Sequence, residues 1–164
     1  MELLLMRHGI AIDREDPDCP PEEQRQLTPE GEARTREVAQ GLRSLGLKPE
    51  LVASSPLLRA LQTAQIAAAV LGHRGEIEEW PELAYWVDPE RVLERLDGLP
   101  ARQVLLVGHR PHLDLLLAAA LGDPEAPFTV LKKAGVALLD WQPEGGELRW
   151  LLTPAILRRL RGAD

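Results

Sequence analysis

Two arginines and two histidines stand where a residue chosen for stability alone would be apolar or acidic. Arg7-His8-Gly9 follows directly on the apolar run Leu3-Leu4-Leu5-Met6, Arg59 falls in the first turn of an expected helix, and His109 follows Val104-Leu105-Leu106-Val107-Gly108. A cation in the first turn of a helix opposes the macrodipole, so Arg59 fits its place better with an anion beside it. Guanidinium forks pair bidentately with phosphoryl oxygens, and a neutral imidazole can attack phosphorus when a backbone carbonyl holds its second nitrogen. Flanking arginines would keep such a histidine unprotonated and stabilise charge on the equatorial oxygens, a logic that His8 beside Arg7 satisfies. His109, if protonated, would be a further donor. Taken singly, each residue also has an ordinary reading: a solvated strand end for Arg7, a hydrogen-bonded turn for His8, an ion pair with a loop acid for Arg59.

The elements that must carry these groups decide between the readings. Short apolar runs at 3–6, 51–53 and 103–107 read as buried strands, with a further short strand at 77–80. Thr28-Pro29 opens a helix reaching Leu45 with Gly46 as its stop, and Ser54-Ser55-Pro56 opens one reaching about Leu71. Asp88-Pro89 opens another to about Leu96, and Arg110-Pro111 starts one that runs through Leu121 to Gly122. Residues 134–141 and 148–152 read as a hairpin, and 154–161 as a short terminal helix. This alternation implies an α/β fold, a three-layer α/β/α arrangement with a mainly parallel central sheet. Ligands of such sheets bind beyond the carboxyl ends of the strands. Arg7-His8, Ser54-Ser55 with Arg59, and His109 follow three different strands, so they converge on one crevice. That crevice is matched to a tetrahedral dianion, of which phosphate is the natural guest. The acidic segment 10–26, with Pro17, Pro20 and Pro21, has the length of a binding loop or lid.

Composition narrows the class. A chain of 164 residues with 45% hydrophobic and 27% charged residues suits a single globular domain spanning 1–164. The net charge of -7 argues against nucleic-acid and anionic-membrane partners, so a bound anion must meet a local cluster of cations. The apolar stretch Leu113 to Leu121 is too short to span a bilayer, and no signal-peptide pattern precedes Leu3. Cys19 is the single cysteine, which makes a reducing cytoplasm the simplest location. No Gly-x-x-x-x-Gly-Lys loop and no dinucleotide fingerprint is present, which leaves phosphoryl transfer without a nucleotide cofactor.

Met6-Arg7-His8-Gly9, Ser55-Pro56-Leu57-Leu58-Arg59-Ala60-Leu61-Gln62-Thr63-Ala64 and Val107-Gly108-His109 together resemble the signatures of the histidine phosphatase superfamily, with its phosphoglycerate mutase-like fold. Leu27-Thr28-Pro29-Glu30-Gly31 is similar to its helix-opening segment. The resemblance implies that His8 is the phosphorylated nucleophile, that Arg7, Arg59 and His109 complete the phosphate pocket, and that neither metal nor other cofactor is needed. Larger members carry an acidic proton donor in a Leu-x-Glu segment, where this chain has Leu83-Ala84-Tyr85; Glu82 and Asp13 are the remaining candidates. The missing acid, the small size and Pro81-Glu82-Leu83 resemble the SixA branch, whose members remove phosphate from histidine of phosphotransfer proteins. The expected partner is thus a phosphohistidine-bearing protein, with a small phosphoester as the alternative substrate. Two further alternatives are a phosphate-binding module without turnover and a metal site built from His8, His109 and His112.

Overall fold

The computed structural model describes residues 1–123 and 129–162. The chain forms β1 (Glu2–Arg7), α1 (Pro29–Ser44), β2 (Leu51–Ser54), α2 (Leu58–Leu71), β3 (Ile77–Glu79), α3 (Glu90–Leu96), β4 (Gln103–Gly108), α4 (His112–Ala120), β5 (Val136–Gln142), β6 (Gly145–Leu152) and α5 (Pro154–Arg159). The strand order is β3-β2-β4-β1-β5-β6. β3, β2, β4 and β1 run parallel, while β5 and β6 are antiparallel to their neighbours.

β1 reads as an unbroken apolar run because helices cover the sheet on both sides. Successive side chains point to opposite faces of a strand. Leu4 and Met6 therefore pack with Val38 and Leu42 of α1, Ala64 of α2 and Leu157 of α5. Leu3 and Leu5 pack on the other face with Val92 and Leu96 of α3 and Leu113 and Leu117 of α4. Each such fully buried leucine contributes about 2 kcal/mol of transfer free energy. α5 can lie on α1 because position 41 is glycine: a Cβ there would sit 2.0 Å from the Leu157 carbonyl oxygen.

Local signals set most of the boundaries. Thr28 Oγ1 accepts from the Gly31 amide at 2.9 Å, with Pro29 in the first turn, and Gly46 takes φ 80° after α1. α2 begins at Leu58, later than Ser54-Ser55-Pro56 implies, and has no side-chain cap. Leu45, expected as the last residue of this helix, is 44% exposed, because the helix has ended at Ser44. β6 starts at Gly145 rather than Leu148, where a residue at φ 135° makes the hairpin tighter than its polar linker suggests.

The ladder register positions the polar groups. β1 and β4 pair Arg7 with Gly108, and β2 and β4 pair Ser54 with Val107. One step further, the His8 amide donates to Gly108 O at 3.0 Å and the Ser55 amide to Val107 O at 2.9 Å. Ser55, His109 and His8 thus leave adjacent strand ends side by side.

Candidate active site

A cavity of about 870 Å³ opens at these strand ends, and Arg7, His8, Arg59 and His109 all line it. The convergence expected from sequence is present. His8 is 6% exposed, and its Nδ1 lies 2.7 Å from Gly9 O. A carbonyl only accepts, so Nδ1 carries the proton and Nε2 keeps its lone pair. The Gly9 amide donates to Thr63 Oγ1 at 3.0 Å, and Thr63 Oγ1 donates to Arg59 O at 2.7 Å, which ties the turn after β1 to α2. Arg7 is directed by Nη1 donating to Leu131 O at 3.0 Å; the Leu131 amide donates in turn to buried Asp114 at 2.9 Å.

The His8 and His109 rings are 5.2 Å apart between centroids. Burial pushes His8 down to about 3, and Arg59, Arg7 and Arg25 add to the shift against the Gly9 hydrogen bond. Sequence reasoning assigned that shift to the arginines; exclusion from water is the larger cause. Burial likewise pushes His109 down to about 2, with His8 and Arg59 next in effect. That direction favours a neutral His109 ring before an anion enters the cavity. Its Nε2 lies 2.8 Å from Ser55 Oγ, which already accepts from the Leu57 amide at 3.4 Å. The Nδ1 of His109 is buried with no hydrogen-bond partner.

These shifts predict acid sensitivity of the fold. His112, 1% exposed at the start of α4, is also lowered by burial, to about 4. Unfolded, each histidine takes a proton near its ordinary value of 6.5; folded, His112, His8 and His109 resist until about 4, 3 and 2. The unfolded state binds more protons in that window, so stability falls as pH drops below about 6.5. Thermal unfolding midpoints should decline steadily between about pH 7 and pH 5; a flat profile would contradict neutral burial.

The other sequence candidates separate. Asp13 lines the cavity, whereas Glu82 does not and accepts from Arg95 Nη1 at 2.9 Å. Tyr85 lines the cavity edge-on to His109, with ring centroids 5.7 Å apart. Among the described residues no three His, Cys, Asp or Glu side chains gather as a metal cluster, so His8, His109 and His112 are not assembled as ligands. Arg59, 1% exposed, does form the ion pair with a loop acid that its ordinary reading supposes, to Glu22 at 2.7 Å, yet it also lines the cavity.

Sequence reasoning missed Arg25, which is 7% exposed, lines the cavity and donates to Ile12 O at 2.8 Å. An arginine two residues before the apolar Leu27 and its helix cap, in a mainly acidic loop, was the available signal. Arg14, Arg110 and Lys133 add further cations, so a chain of net charge -7 concentrates positive charge here. Among the described residues no helix is long and apolar enough to cross a membrane.

Comparison with known proteins agrees with this geometry. Residues 3–86 match the model of the histidine phosphatase superfamily (branch 1). An uncharacterised protein of Picosynechococcus is 40% identical over 147 residues, covering 83% of this chain and 82% of that one. Phosphohistidine phosphatase SixA of Escherichia coli is 30% identical over 162 residues, covering 96% and 97%. The structure of a protein histidine phosphatase SixA complexed with tungstate superposes with a TM-score of 0.85 at 28% identity, over 96% of this chain and 99% of that one. With the mixed six-stranded sheet and the paired histidines already in place, these matches establish that the chain belongs to the histidine phosphatase superfamily, in its SixA-like branch.

Proposed function

We propose that this chain is a metal-independent phosphatase, a single catalytic domain over 1–164, that removes the phosphoryl group from phosphohistidine on a phosphotransfer protein in the cytoplasm. The observation that carries the reading is His8: Nδ1 is tied to Gly9 O, and Nε2 is left as nucleophile in a cavity also lined by Arg7, Arg25, Arg59 and His109. Nε2 attacks phosphorus while the phosphorus–nitrogen bond of the substrate breaks, and the leaving imidazole departs neutral once its other nitrogen has been protonated from solvent. The guanidiniums take the charge of the equatorial oxygens without help from a metal. Water then attacks phospho-His8, releasing inorganic phosphate and restoring the neutral ring. The likeness to SixA and the tie of Glu82 to Arg95 support a substrate whose leaving group needs no strong acid.

Asp13 on the cavity wall favours a second reading, a small-molecule phosphomonoesterase that uses it to protonate an alkoxide. Turnover of a phosphohistidine-bearing phosphotransfer domain and of a panel of phosphomonoesters, in excess EDTA, separates the two. The proposal expects kcat/KM to favour phosphohistidine by about 100-fold or more. Faster turnover of any ester would transfer the function to the second reading.

A further inference from the structure

We infer that Glu22 is a positioning residue that gathers Arg14, Arg25 and Arg59 from behind the cavity and aims them at the phosphoryl group. Its Oε1 accepts from Arg59 Nη2 at 2.7 Å and from Arg14 Nη2 at 2.8 Å. Its Oε2 accepts from Arg14 Nε at 3.0 Å and lies 3.3 Å from Arg25 Nε. Its backbone oxygen accepts from Arg59 Nη1 at 2.9 Å. One residue therefore touches three guanidiniums.

The arrangement separates holding from binding. Arg14, Arg25 and Arg59 line the cavity, whereas Glu22 does not. The end-on edge of Arg59, Nη1 with Nη2, is committed to Glu22, and Nε, buried without a hydrogen-bond partner, remains as a donor. A carboxylate that competed with substrate would line the cavity, and the Glu22 carboxylate is absent from its wall. It offsets the repulsion that packing three arginines together creates and restricts the rotamers of long side chains, so their order is set before an anion arrives. Hydrogen bonding from Arg14 first, with the charge of Arg59 and a hydrogen bond from Arg25, outweighs the upward push of burial and holds its carboxyl down at about 2, so the anchor is charged at neutral pH. Glu22 begins the 3-10 turn Glu22–Gln24, and Arg25 closes the strap by donating to Ile12 O, so the same contacts fix the loop.

The inference rests on the phosphoryl-binding reading of the cavity and is tested with a tetrahedral oxyanion rather than with the unidentified substrate. Tungstate binding by calorimetry and p-nitrophenyl phosphate kinetics, both in excess EDTA, are compared for wild type, Glu22→Gln and Glu22→Asp. Glu22→Gln should weaken tungstate about tenfold and raise KM by a similar factor, with a smaller change in kcat. Glu22→Asp, which keeps the charge, should recover most of the loss, and the thermal midpoints should stay together. Wild type that binds no tungstate would refute the phosphoryl pocket and this inference with it. Wild type that binds, beside a Gln variant that binds equally well or more tightly, would refute the inference alone and make Glu22 a loop anchor or a competitor. If Glu22→Gln does not fold, Arg14→Gln decides, since removing the outermost arm should still weaken tungstate about threefold, and no change would count against the role.

Discussion

His8→Ala is expected to lower kcat by at least about 10⁴-fold while leaving a folded protein. The ring is buried at a cavity wall rather than inside either apolar cluster, and it makes a single side-chain hydrogen bond, to Gly9 O. Its removal leaves Arg7, Arg25, Arg59 and His109 to bind an oxyanion with no atom to accept phosphorus. The variant should therefore keep tungstate affinity within a few fold of wild type and lose the acid-labile phosphoenzyme that rapid quenching traps. Turnover surviving above about 1%, and abolished by EDTA, would replace the covalent route with a metal-dependent one.

Arg59→Lys should fail almost as badly as Arg59→Ala, with kcat/KM down by about 10² to 10³-fold in either case. A lysine keeps the charge but cannot hold the carbonyl and carboxylate of Glu22 with one edge while presenting a second edge. Both variants also leave a buried site without its fork, so part of the loss should appear as weaker inhibition by inorganic phosphate. Full activity in the lysine variant would mean that position 59 supplies charge alone.

The parts of this molecule that sequence made legible are those in which local pattern and tertiary role coincide. β1 and β4 are buried on both faces, and their apolar runs end where the ladder ends, so His8 and His109 could be placed without coordinates. Thr28-Pro29 is a cap in sequence and in space. Ser54-Ser55-Pro56 looked like a second cap, but Ser55 Oγ serves His109 and the helix starts at Leu58, because a tertiary partner competed with the local one. Arg25 and Glu22 were harder. Their positions depend on the strap folding back so that Ala11 pairs with Leu27, a contact between distant residues that no periodicity announces. The charge of His109 was left conditional by sequence, since the burial that lowers its pKa is a property of the assembled layers.

His8, Ser55 and His109 stand on neighbouring rungs of parallel strands, with backbone bonds from His8 to Gly108 and from Ser55 to Val107 continuing the ladder. The separation of the His8 ring from the His109 ring is therefore a dimension of the sheet. The cavity walls around Asp13, Arg14 and Tyr85 come from loops that the ladder does not constrain. Insertions and substitutions there can reshape which guest is admitted while the reacting groups stay in register, so descendants of such a scaffold can diverge in substrate without reinventing the reaction.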